Sequence, residues 1–167
     1  MKGILLAVSL LMLWGGSAWA QDSGTAQVSW VVAGCWVSLR AHGEIELGVA
    51  SGETFLEPGY LEDTEDNPLT VITNCWSWTL TASLRWHPPA GHPDPVAGLA
   101  DFQWWVVEVL SGEVEGWQAE PRAGGGWVAT GRGPGEATLL LGYRYNLDPQ
   151  DVPGVYQVLI TYTLTGE

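Results

Sequence analysis

The sequence predicts an exported all-β protein, a sandwich of roughly eight or nine antiparallel strands closed by one disulfide. Three observations carry this. A short apolar leader opens the chain, long segments alternate apolar and polar residues with turn chemistry between them, and two cysteines are present in 167 residues.

The leader comes first. Lys2 is followed by an apolar run over residues 3–14, and Ala18-Trp19-Ala20 places small residues where a signal peptidase reads. Cleavage before Gln21 is expected, so residues 1–20 are read as a signal peptide and residues 21–167 as one mature domain. The run is shorter than the roughly 18 apolar residues of a membrane span, and no second apolar span follows. The mature chain is therefore expected not to insert into membrane.

Composition narrows the class. Gly 22, Pro 10 and Trp 11 favour strands and turns. Six Lys and Arg stand against 19 Asp and Glu. Lys2 is the only lysine, so loss of the leader removes one positive charge and no negative one. Such an acidic surface repels phosphate backbones and anionic lipid. Nucleic acid is not an expected partner. The two cysteines, Cys35 and Cys75, both fall in the mature chain. In an exported protein an even count points to a disulfide. Neither has a second ligand at metal-site spacing.

The strands follow in order. Residues 26–32 and 35–39 open the domain, with 44–47 and 69–73 after them. The clearest is 76–86, where Trp76, Trp78, Leu80, Ala82, Leu84 and Trp86 alternate with Ser77, Thr79, Thr81, Ser83 and Arg85. Residues 102–110, 126–130 and 136–147 come next. The last strand aligns Tyr156, Val158, Ile160, Tyr162 and Leu164 on one face. Pro58-Gly59, Asn67-Pro68, His87-Pro88-Pro89 and Gly133-Pro134-Gly135 mark turns between strands. This spacing predicts a β-sandwich. No helical period appears outside the leader, and the Pro-rich stretch 87–100 reads as a long loop.

Little in the sequence points to catalysis. His87 and His92, with Asp94, match no metal-ligand spacing and read as a solvated loop. Glu57, Glu62, Asp63, Glu65, Asp66 and Asn67 are oxygen donors of the kind Ca²⁺ takes, but lack the register of a Ca²⁺ loop. Whether they bind calcium is left open, and a solvated acidic loop is the simpler reading. His42 is the remaining histidine. No serine sits in a nucleophile elbow, and neither cysteine is free once bonded. Carboxylates paired in space, as in glycosidases, escape a linear reading. The chain is read as no enzyme, with no cofactor and no metal. Nine tryptophans remain after the leader. Trp104 and Trp105 are neighbours on a strand and face opposite ways, which makes one of them a candidate aromatic platform for a ligand such as a sugar.

Four segments carry a family resemblance. Ala26-Gln27-Val28-Ser29-Trp30-Val31-Val32-Ala33-Gly34-Cys35-Trp36-Val37 resembles the mature start of spore coat U domain proteins, pilin subunits of archaic chaperone–usher systems. His42-Gly43-Glu44-Ile45-Glu46-Leu47-Gly48 is similar to that family's apolar–Phe-Gly strand, with Leu47 at the Phe position. Leu69-Thr70-Val71-Ile72-Thr73-Asn74-Cys75 resembles the strand ending at the second cysteine. Val152-Pro153-Gly154-Val155-Tyr156 and the residues to Leu164 resemble the closing Gly-x-Tyr strand. Residues 87–150 carry no motif of the family.

The resemblance implies an immunoglobulin-like sandwich missing one strand, and hence a fibre subunit. A periplasmic chaperone fills the gap first. At an outer-membrane usher the N-terminal strand of the next subunit replaces it, extending the sheet by strand addition. Residues 21–33 are then the donor strand, with Val28, Trp30 and Val32 as inserting side chains. Tyr156, Val158, Ile160, Tyr162 and Leu164 form the acceptor edge. The implied partners are copies of the chain or related pilin subunits. The implied route runs through the periplasm to the cell surface or beyond. A second resemblance points elsewhere. Trp78-Thr79-Leu80-Thr81-Ala82-Ser83 is similar to the core of WxL domains, surface modules that bind peptidoglycan, which implies a self-contained binding module for peptidoglycan or another glycan. Cys35 and Cys75 favour the pilin-like reading, since WxL domains do not usually depend on a disulfide.

Overall fold

A computed structural model describes residues 34–41, 43–57, 59–89, 91 and 98–167. The expected signal peptide, the donor strand with Val28, Trp30 and Val32, and His42, His92 and Asp94 lie outside the described residues.

Among the described residues ten strands form two antiparallel sheets packed as a sandwich. Chain order is β1 (Val37–Arg40), β2 (Tyr60–Asp63), β3 (Pro68–Thr73), β4 (Ser77–His87), β5 (Phe102–Ser111), β6 (Val114–Trp117), β7 (Arg122–Ala123), β8 (Gly126–Arg132), β9 (Gly135–Asn146) and β10 (Gln157–Gly166). The first sheet runs β1-β3-β9-β5-β7, with β2 also paired to β9. The second runs β10-β4-β8-β6. Strand β9 is long enough to receive β3 on Gly135–Leu140 and β2 on Tyr143–Asn146.

The alternation of β4 works as expected. Trp78, Leu80, Ala82 and Trp86 are buried, while Thr81, Ser83 and Arg85 face solvent. Across the sandwich they meet Leu69 and Val71 of β3, Trp104 and Val106 of β5, and Ala137, Leu139, Leu141, Tyr143 and Tyr145 of β9. Two of the expected positions differ. Trp76 lies before β4, not on its apolar face, and is 83% exposed. Residues 44–47 form no strand, although Ile45 and Leu47 still pack on the core.

Other elements escaped the periodicity. Strand β2 arises inside the acidic stretch, where Tyr60 and Leu61 precede Glu62 and Asp63. Strands β6 and β7 are short edge strands. A five-residue helix, Gly52–Leu56, starts at Ser51, whose hydroxyl accepts from the Thr54 N–H while the Thr54 hydroxyl accepts from the Ser51 N–H. This reciprocal cap satisfies two helix-end donors. A single helical turn, Gly98–Asp101, interrupts the expected loop.

The disulfide joins Cys35 and Cys75 across 40 residues, with Cα atoms 4.9 Å apart. It ties the entry of β1 to the end of β3, a cross-strand pair that continues the β1–β3 register within one sheet. The far end of β10 rests on it. Gly166 has no side chain because a Cβ there would run into the Cys75 sulfur and Val37.

Candidate functional site

Strands β1 and β10 border one long edge of the sandwich. Each has one strand partner among the described residues: β1 pairs with β3, and β10 with β4. The phase of the β10 ladder follows from its last pair. The Ser77 N–H donates to Glu167 O at 3.1 Å, and the Glu167 N–H donates to Ser77 O at 3.0 Å. Such doubly bonded pairs alternate along an antiparallel ladder. Odd-numbered residues of β10 therefore bond to β4. The N–H and C=O groups of Val158, Ile160, Tyr162 and Leu164 point the other way, toward the free edge.

The same four side chains face inward, and they are only half-buried. On β4, one strand away in the same sheet, Leu80 is 0% exposed and Trp78 3%. The two strands have equally apolar inner rows, yet on β4 only Leu84 is left partly exposed. Beside the open row lies a cleft of about 1410 Å³. Its lining includes Val158 and Ile160 of β10, Leu69 of β3, Leu141 of β9, and Ile45 and Leu47. Its volume exceeds the roughly 300–1,000 Å³ usual for small-ligand pockets.

Aromatic residues close the end of the cleft away from the disulfide. Trp86 stacks on Tyr145 at 5.8 Å, and Tyr156 lies 5.6 Å from each ring. The Tyr145 hydroxyl donates to Asp151 at 2.8 Å, and the Tyr156 hydroxyl to Val152 O at 2.7 Å. Further along, the hydroxyls of Tyr143 on β9 and Tyr162 on β10 meet at 2.8 Å, a hydrogen bond from one sheet to the other. Burial pushes the Tyr143 phenol up to about 12 from 10.0, against the lowering effect of its bond to Tyr162. Burial, then the neighbouring Tyr143, raises Tyr162 as well.

Of the row Tyr156, Val158, Ile160, Tyr162 and Leu164, all but Leu164 line the cleft, and the row borders an edge that has no second strand among the described residues. Trp104 and Trp105 do not form a platform. Trp104 is 1% exposed, and its indole N–H donates to Gly124 O at 2.7 Å. Trp105, on the outer face, is covered by the Arg144 guanidinium at 5.5 Å and rests over Gly142, where a Cβ would collide with its ring. Four described tryptophans reach solvent: Trp36, 49% exposed, Trp76, Trp117 and Trp127. Trp36 and Trp76 each follow a disulfide cysteine directly.

The acidic residues 57–67 are drawn into separate roles. Glu62 pairs with Arg144, and Asp63 accepts from the Glu65 N–H. Asn67 is buried on the inner face and borders the cleft. Among the described residues no group of three or more His, Cys, Asp or Glu is gathered to hold a metal. His87 ends β4 in place of starting a loop. Sequence periodicity did not reveal Asn67 or the Tyr143–Tyr162 pair, because each depends on which strand packs opposite.

No known family model matches the chain, and no curated protein matches it in sequence.

Proposed function

We propose that this chain is an exported structural subunit of a surface fibre, joined to its neighbours by strand addition. Residues 21–33 of one copy lie along β10 of the next, and Val28, Trp30 and Val32 enter the cleft. The observation that carries the reading is the β10 edge, where a half-covered apolar row, outward-pointing main-chain groups and a long cleft coincide. An unpaired edge of this kind invites a further strand. Each large apolar side chain moved out of water contributes about 1.5–3 kcal/mol, so three of them together with a hydrogen-bonded ladder make a strong joint. The contact is head-to-tail and builds an open filament, not a closed ring. On this reading a chaperone shields the edge before assembly and an outer-membrane usher presents it.

The test is Trp30→Asp. A carboxylate placed in an apolar cleft with no partner carries a large penalty. The variant should remain a folded monomer by size-exclusion chromatography and circular dichroism, while the unchanged chain forms filaments visible by electron microscopy. Filaments of undiminished length from Trp30→Asp would refute the reading. The exposed Trp36 and Trp76 favour a second role, a glycan-binding end of the domain. Loss of glycan retention by Trp76→Ala, with filaments intact, would identify it.

A further inference from the structure

Asn67 has no evident reason to be where it is. It follows the turn between β2 and β3, and its carbonyl accepts from the Leu141 N–H at 3.1 Å, which continues the β3–β9 register by one residue. That register puts its side chain in the inward row with Leu69 and Leu141, bordering the cleft. The residue is 3% exposed, and its amide nitrogen Nδ2 is buried without a hydrogen-bond partner. Burying an amide donor unpaired is costly, and a leucine in the same space would avoid the cost. A donor kept in such a place has a use for an acceptor that is not part of the resting fold.

We infer that Asn67 Nδ2 donates to a main-chain carbonyl of the strand that enters the cleft. This rests on the assembly reading above and adds to it a named contact on the sheet opposite β10. The chemistry of the occupant selects the acceptor. The inserting side chains Val28, Trp30 and Val32 offer no oxygen. A strand that pairs with β10 along one edge leaves the carbonyls of its other edge without a ladder. Asn67, on the opposite sheet, borders the same cleft. Because the acceptor is backbone, the contact recognises an extended strand seated to full depth and is indifferent to its side chains.

The experiment uses the full mature chain carrying Trp30→Asp, whose own N-terminal segment is disabled, and a fluorescent synthetic peptide of residues 21–33 with the native sequence. Binding is read by anisotropy and stability by thermal melting. Adding Asn67→Leu should weaken peptide binding about tenfold, the loss of one buried hydrogen bond, and should leave the melting temperature of the peptide-free chain unchanged or raised. Asn67→Ala, which removes the donor without adding bulk, should weaken binding similarly. The opposite signs on binding and stability separate a strand contact from a structural role. Equal peptide affinity with Asn, Leu and Ala at position 67 overturns this inference and leaves the assembly reading standing. Failure of the Trp30→Asp chain to bind the native peptide at all overturns both.

Discussion

The two long edges of this sandwich are finished differently. At the β6–β7 edge the chain crosses between sheets and bonds to both. The Gln118 N–H donates to Val128 O at 2.8 Å, and Gln118 O accepts from the Val106 N–H at 2.7 Å. The main-chain groups of Gln118 find partners on both sheets, and Val106 and Val128 are sealed at 1% and 0% exposure. At the β1–β10 edge the disulfide clips β1 to β3 near one end, and the Tyr143–Tyr162 bond crosses between the sheets further along. Between and beyond these ties the apolar row of β10 stays half-covered. A domain able to close one edge so completely has the means to close the other. On the proposed reading, function lies at the open edge, where an incoming strand would satisfy the backbone and the apolar row.

The largest expected difference compares equivalent side-chain losses at covered and open rows. Leu80→Ala, on β4, should destabilise the monomer by about 2–5 kcal/mol, as for a buried Leu. Ile160→Ala on β10, whose side chain is only partly withdrawn from water, should cost the monomer about 1–2 kcal/mol. In the filament the order should draw together, because Ile160 is covered there. Denaturant unfolding of monomer and of filament supplies the four numbers. Equal monomer losses would break the comparison.

A smaller effect tests the polar tie across the open edge. Both phenols of the Tyr143–Tyr162 pair lie above the ordinary value of 10.0 in the folded state. The folded chain therefore holds protons that the unfolded chain has released. Stability from this pair is fully present below pH 10 and falls as pH rises through about 12, the value for Tyr143. Tyr162→Phe should cost about 1 kcal/mol at neutral pH, the worth of one hydrogen bond. It should also make the alkaline decline shallower, since one titrating group is gone. An unchanged alkaline profile would show that the pair contributes nothing to closing this edge.

What the sequence revealed, and what it hid, follows the reach of local signals. β4 and β10 were legible because period two depends on neighbours along the chain, and turn residues bound them. The pairing of Cys35 with Cys75 was legible because no other thiol competes. Residues 44–47 misled, since Ile45 and Leu47 do alternate inward but no backbone among the described residues pairs with them as a strand. The acidic residues around Glu62 masked β2, because a carboxylate on an outer face is acceptable once Arg144 stands opposite. Trp104 and Trp105 read as a possible platform, but Arg144 on β9 covers the one that faces out, a cross-strand fact. That the β10 row is only half-covered, while the β4 row is buried except at Leu84, could not be read from two equally apolar patterns. The burial of Asn67 was hidden for the same reason.

The most direct test of the open edge is quenched hydrogen exchange, amide by amide along β10. The ladder phase assigns each amide a direction. Leu159, Thr161 and Thr163 bond to β4 and should be protected in monomer and filament alike. Val158, Ile160, Tyr162 and Leu164 point to the free edge. Their amides should exchange rapidly in the Trp30→Asp monomer and become protected in filaments of the unchanged chain. Protection of these four amides in the Trp30→Asp monomer, or rapid exchange of the same four in the filament, would contradict strand addition at β10.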